Sequence, residues 1–364
     1  MNRCLICVMP DTRPDHVFVD GVCPACINYQ NRPEVDWDAR LLQLKDLLDQ
    51  HNGRCIVPSS GGKDSHYQVI KLLELGADPL IVTATTCHLT DIGRKNIDNL
   101  AKLATTIEVS PNKEVRAKLN RISLETIGDI SWPEHASIFS TPFWAAASFD
   151  IPLVIYGENP QNQYGGPDQL SGEAMIMDKQ WIDEFGGFLG LRPMDFVGKD
   201  GITQNDMSYY WNPLPWSRVE AHFLGQYIEW DSHRNAKVAA EHGMIQELPC
   251  FANWWKAENL DNAQTGIHDY LMYRKYGYGR GCTQISVDVR HGRITRGAAL
   301  GWVREHDGHY PFTYAGYTLD EILGRIDVSK EKFHRIEKEF TNYDILEHVG
   351  SQDNTNHPVE ERQP

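Results

Sequence analysis

Residues 58–66 read PSSGGKDSH. They follow the apolar run Cys55, Ile56, Val57 and precede a segment, 64–75, with helical spacing that stops at Gly76. Such a strand, turn and helix is the repeating unit of an open α/β sheet, in which the first turn presents free backbone N–H groups and the positive end of a helix dipole. Gly61 and Gly62 let the main chain approach an anion with no side chain between. Ser59, Ser60 and Ser65 add hydroxyl donors, and Lys63 adds positive charge. Asp64 would repel a phosphate unless it held Mg²⁺. The turn therefore implies a metal-bound polyphosphate.

Outward from this turn the pattern repeats. Strands are expected at 54–58, 80–84, 106–110 and 151–156, with helices at 64–75, 91–104, 112–127 and 134–149 between them. Short apolar runs alternating with amphipathic helices predict a parallel sheet covered on both faces. Thr83, Ala84 and Thr85 close the second strand, so topology puts them beside the adenine of a bound nucleotide. Gly157 opens a polar loop after the fourth strand, GENPQNQYGG, at the same sheet edge. Gly157 is a candidate nucleotide contact, Glu158 a candidate catalytic group, and Asn159, Gln161 and Tyr164 candidate acceptor contacts.

The remaining chain divides by composition. Cys4, Cys7, Cys23 and Cys26 form two CxxC knuckles with fifteen residues between them, a spacing that lets four thiolates close around Zn²⁺. An iron–sulfur cluster is the alternative occupant. Segment 36–50 has leucines at helical spacing, and from about 168 aromatic-rich stretches replace the strand signal. The expected division is a Cys4 module at 1–35, an α/β domain at 36–167, a mostly helical region at 168–348 and a polar tail at 349–364. Lys and Arg total 35 against 50 for Asp and Glu, a net charge of −15 that argues against general nucleic-acid binding. No run approaches ~18 uninterrupted apolar residues, so no membrane insertion is expected. The N-terminus lacks a signal-like apolar run, and a cytoplasmic, thiol-preserving setting is the expectation.

The turn is not a Walker A loop, whose spacing requires four residues between its glycines, and GxGxxG is absent. SGGKDS resembles instead the PP-loop, SGGxDS, of the ATP pyrophosphatase superfamily. That resemblance implies that the loop grips the β- and γ-phosphates of ATP while an acceptor oxygen attacks the α-phosphate, releasing pyrophosphate. Acceptors differ across the superfamily. A tRNA-thiolating enzyme is the rival reading, although Cys55, Cys87, Cys250 and Cys282 are isolated in the sequence.

The CxxC pairs, PSSGGKDSHYQ, IYGENPQNQYGG, LGQYIEWDSHRNA at 224–236 and IHDYLMYRKYGYGRGCTQISVDVRHGRITR at 267–296 together resemble the N-acetyl sugar amidotransferases of the WbpG/PseA type. The likeness runs from residue 3 to about 340. It implies ATP-dependent conversion of an acetamido group on an acidic, UDP-linked amino sugar into an acetamidino group, in O-antigen or flagellin glycan biosynthesis. Ammonia would come from a HisH-like glutaminase with a HisF-like partner, since the chain shows no nucleophile elbow of its own. The basic run that includes Arg280, Arg290 and Arg296 is a candidate clamp for sugar carboxylate and diphosphate. His268 and Asp269 are candidate proton-transfer groups. The tryptophans 181, 211, 254 and 255 suit core packing or ring stacking.

Overall fold

The computed structural model describes residues 1–14, 16–157, 188–211 and 218–350. Its centre is a five-stranded, fully parallel sheet in the order β3-β2-β1-β4-β5. The strands are β1 Arg54–Pro58, β2 Asp78–Ala84, β3 Thr106–Val109, β4 Leu153–Tyr156 and β5 Glu220–Phe223. Successive strands step one way from β1 to β3 and the other way from β4 to β5. The turn after β1 therefore sits where the order reverses, the place at which open α/β sheets take their ligands.

Period-two alternation sends the β1 side chains to both faces. Cys55 and Val57 join a buried layer with Leu44 and Leu48 of helix α1 (Trp37–Gln50) and Val69 and Leu72 of α2 (Lys63–Glu74). Ile56 points the other way, into a layer with Phe143 and Ala146 of the helix Trp132–Phe149 and with Val154 of β4. Each fully buried aliphatic side chain in these layers contributes roughly 1.5–3 kcal/mol. Local chemistry marks the helix ends. Asp36 accepts from Ala39 N at 3.0 Å to start α1, and Asn112 accepts from Glu114 N at 2.9 Å to start the helix Lys113–Ile127.

Three differences from the sequence reading stand out. The helix expected at 91–104 starts at Asp91 as expected but ends at Leu100, with turns in the residues that follow. The second strand begins earlier, at Asp78. The sheet also continues past residue 167 into β5, where Ala221 and Phe223 join the layer of Ile56, while on the other face the buried His222 meets Glu220 at 2.9 Å and Tyr227 at 2.6 Å.

Beyond β5, the described residues of the C-terminal region are mostly helical, as expected, with a small antiparallel pair, Thr313–Tyr314 with Tyr317–Thr318. The cysteine module does not stand apart from it. Cys4, Cys7, Cys23 and Cys26 share one buried cluster with Tyr278, Cys282, Ile285, Ala299 and Val303. Thr12 Oγ1 donates to Tyr276 O, and Arg3 Nη1 reaches Cys282 Sγ at 3.6 Å. Among the described residues no helix is long and apolar enough to cross a membrane.

Candidate functional site

The turn from β1 into α2 is held open by its glycines. Gly61 has φ +82°, and a Cβ there would lie 2.9 Å from Ile97 Cγ1 and 3.0 Å from Ile97 N. Only glycine fits that conformation against the neighbouring helix. Gly62 is the N-cap of α2 and supplies no side-chain cap, so the first N–H groups of the helix face the sheet edge without a local acceptor from that position. The serines bond within the loop: Ser59 Oγ accepts from Gly61 N at 3.0 Å and Ser65 Oγ from Ser60 N at 3.4 Å. Ser59 N donates to Val82 O at 2.9 Å, which continues the β1–β2 pairing into the turn.

Lys63 is buried, and its ammonium lies between two carboxylates, 2.5 Å from Asp64 Oδ2 and 2.7 Å from Glu258 Oε2. Asn235 Nδ2 donates to Asp64 Oδ1 at 3.0 Å, and the Trp255 ring centroid is 5.8 Å from Lys63 Nζ. Two carboxylates against one ammonium leave this corner short of positive charge. The donor set accordingly suits a divalent cation that arrives with a polyphosphate. His66 packs beneath, with Nδ1 3.0 Å from Gly62 O; burial first, against those backbone contacts, holds its pKa below the ordinary imidazole value.

The other expected nucleotide contacts gather at the same edge. Thr83 is buried with no partner for its Oγ1 among the described residues, and Ala84 ends β2. Thr85 N donates to Val109 O at 3.0 Å, while Thr85 O accepts from Arg116 Nη1 at 3.3 Å. Arg116 in turn meets Glu134 Oε1 at 3.2 Å in a buried ion pair, and Glu134 also receives Cys87 N at 3.3 Å. This network fixes the strand exit. Gly157 lies against Gln68 and Trp230, where a Cβ would come within 2.8 Å of Gln68 Nε2. Glu158, Asn159, Gln161 and Tyr164 lie outside the described residues.

At the cysteine module the four sulfur ligand atoms lie within 4.8 Å of one another and all four residues are buried. Cys7 Sγ and Cys23 Sγ are 3.6 Å apart, and Cys4 Sγ accepts from Cys23 N at 3.3 Å and Ile6 N at 3.4 Å. Four soft donors with backbone N–H support can hold a tetrahedral structural cation such as Zn²⁺.

The basic run does not act as one surface. Arg280 Nε meets Asp269 Oδ1 at 3.0 Å and Oδ2 at 2.8 Å, whereas Arg296 Nε donates to the carbonyls of Cys4 at 2.9 Å and Cys7 at 3.0 Å. Arg290 is half-buried at the end of the helix Arg280–Arg290. Arg274 pairs with Glu337 at 3.4 Å and Arg293 with Asp288 at 3.1 Å. His268 and Asp269 also diverge. His268 Nδ1 lies 2.9 Å from Asp129 Oδ1, while Asp269 turns to Arg280.

Residues 249–349 match the family model described as LPS biosynthesis protein WbpG-like, C-terminal domain. In sequence, residues 249–349 are WbpG-like, and this stretch is called the WbpG-type domain below. No curated protein matches the chain. The match suggests an enzyme of glycan biosynthesis, and the parallel sheet is consistent with the PP-loop superfamily.

The WbpG-type domain reaches the loop through two consecutive residues. Glu258 pairs with Lys63, and the Asn259 amide, oriented with its oxygen toward Arg280, accepts from Nε at 3.0 Å and Nη1 at 3.2 Å. Asn259 sits at φ 52°, which splits the two side chains between the loop and Arg280. Glu258 and Asn235 carry no local sequence signal, because their partners are distant in the chain. Both lie in stretches, LGQYIEWDSHRNA and NWWKAEN, that are conspicuous for other reasons. The cysteines outside the module are held as thiols, with burial pushing Cys55, Cys87 and Cys250 each up to about 12 and Cys282 higher still. Such groups are poor sulfur relays.

Proposed function

We propose that the chain is an ATP-dependent, AMP- and pyrophosphate-forming amidotransferase acting on an N-acetylated amino sugar of a surface glycan. An amide oxygen is a poor leaving group. Attack of the acetamido oxygen on the α-phosphorus of ATP, with release of pyrophosphate, converts it into an O-adenylyl imidate. Ammonia then adds at the imidate carbon, AMP departs with the original oxygen, and loss of a proton leaves the acetamidino group. Cleavage inboard of the outer two phosphoryl groups is what makes the oxygen leave.

The observation that carries this reading is the SGGKDS turn at the reversal of strand order, bonded to a WbpG-type domain through Lys63 and Glu258. In it, the backbone of 60–65 binds the β- and γ-phosphates, and Lys63 exchanges its carboxylate partners for the charge building on the leaving pyrophosphate. Asp64 would hold Mg²⁺, which neutralises phosphate charge when bound. Gly157 keeps the fourth-strand exit clear, and Thr83, Ala84 and Thr85 line the adenine side. Zn²⁺ on Cys4, Cys7, Cys23 and Cys26 is structural. Ammonia is supplied by a glutaminase of the HisH type working with a HisF-like partner, in the cytoplasm, where nucleotide sugars are made.

Mass spectrometry of acidic N-acetylated nucleotide sugars incubated with the protein, ATP, Mg²⁺ and ammonium tests this. The expected product differs from substrate by exchange of O for NH and appears with equimolar AMP. Unchanged sugars across an acidic, di-N-acetylated set, with no AMP formed, would contradict it.

A further inference from the structure

A cavity of about 80 Å³ lies inside the WbpG-type domain, between Cys250–Asn253, the Gly279–Arg280 turn and residues 308–313. No step above uses it. Such a space admits a group of a few heavy atoms and is too small for a whole nucleotide sugar.

Its polar groups are unevenly satisfied. Asn253 lines the cavity and is only 2% exposed. Its Oδ1 accepts from Cys250 Sγ at 3.1 Å, but its Nδ2 has no partner among the described residues. Leaving a buried amide N–H unpaired is unfavourable, so this donor points to an acceptor atom supplied by a ligand. Asp269 offers the complementary function. Both of its oxygens take the Arg280 Nε–H, at 3.0 and 2.8 Å, and each keeps lone-pair capacity for a further donor.

Charge decides which ligand fits. The Arg280 guanidinium is already matched by Asp269, and a second carboxylate, Asp307, backs the same turn by accepting from Gly279 N at 2.8 Å. A carboxylate or phosphate entering here would meet a guanidinium whose charge Asp269 already balances, and burial magnifies its repulsion from that carboxylate. A neutral group that accepts on one side and donates on the other meets no such penalty. The wall also carries the rings of Tyr310 and Phe312, 4.7 Å apart at their centroids, which suit a methyl group or the C–H face of a sugar.

We propose that this cavity binds a neutral N-acyl group, a secondary amide whose carbonyl oxygen takes Asn253 Nδ2–H, whose N–H meets Asp269 and whose methyl lies on Tyr310 and Phe312. That the N-acyl group belongs to an amino sugar rests on the function proposed above. The binding itself does not require ATP.

Saturation-transfer NMR on the zinc-loaded full chain without nucleotide tests it, with N-acetylglucosamine as probe and glucosamine, acetate and inorganic phosphate as comparators. The acetyl methyl should receive the strongest saturation, and glucosamine should receive little. Asn253→Leu should weaken binding about tenfold. Phe312→Ala, which trims a ring already 56% exposed and so spares the fold, should weaken the methyl signal. An absent methyl signal, displacement of the probe by acetate or phosphate, or a folded N253L that binds like wild type would overturn the assignment. Formation of AMP in the presence of ammonium, assayed separately, fails or succeeds independently of this result.

Discussion

Lys63 Nζ lies 2.7 Å from Glu258 Oε2, so a side chain of the WbpG-type domain closes directly onto the turn at the centre of the sheet. Asp64 competes for the same ammonium at 2.5 Å. Without nucleotide, Lys63 is therefore occupied, and phosphate binding must exchange its partners. Glu258→Gln removes one competitor and one negative charge facing the triphosphate. In metal-free titrations ATP should bind the variant on the order of tenfold more tightly, and Lys63→Ala should weaken it. Calorimetry showing weaker ATP binding by E258Q under those conditions would assign Glu258 a different role.

Gly61 carries the strictest backbone demand in the turn. Alanine there must hold φ +82° and place its Cβ 3.0 Å from Ile97 N, where main chain cannot easily yield. G61A should lose about 1–2 kcal/mol in denaturant unfolding from the left-handed backbone alone and should lose ATP binding more severely than stability. Wild-type nucleotide affinity in G61A would show that the turn does not contact phosphate.

Metal loss should be felt beyond the cysteine module. Arg296 bonds the carbonyls of Cys4 and Cys7, and Cys282 packs among the same cysteines, so the module and the helices after residue 278 share a core. Cys7→Ser or chelation should lower the melting temperature and raise amide exchange in 278–303 as well as in 4–26. Exchange confined to the module would mean that the shared core does not depend on the metal.

The Asp129–His268 pair predicts a pH signature. Burial pushes the His268 pKa down, but the Asp129 carboxylate and its hydrogen bond raise it above the ordinary 6.5. Burial pushes Asp129 up, and the His268 charge and hydrogen bond hold it well below its ordinary 3.8. The histidine contribution is complete below 6.5 and fades as pH climbs through the raised folded value; the aspartate contribution is complete above 3.8 and fades as pH falls through the lowered one. The stability gap between wild type and His268→Gln should therefore be widest from 3.8 to 6.5 and narrow at alkaline pH. A gap independent of pH would show that the pair is not ionic.

The sheet was legible because its evidence is local. Cys55–Val57 and Ile81–Val82 are apolar runs, and PSSGGKDSH is the turn between strand and helix. Strand β5 escaped notice because two of its four residues, Glu220 and the buried His222, are polar, so no apolar run marks it in the sequence. The cysteine spacing disclosed a possible metal site, but its docking on Tyr278 and Cys282 is a tertiary fact. The basic run looked continuous in one dimension. In three, Arg274, Arg280, Arg293 and Arg296 turn to Glu337, Asp269, Asp288 and the Cys4 carbonyl respectively. Glu258 and Asn235 were invisible for the same reason: a side chain's partner across the fold leaves no periodic trace.

Phosphorus NMR of ATP turnover, with Mg²⁺, ammonium and an acidic N-acetylated nucleotide sugar, addresses the central claim most directly. AMP and pyrophosphate should accumulate together, in step with amidine. ADP and orthophosphate as products would place cleavage at the outermost bond and contradict the account.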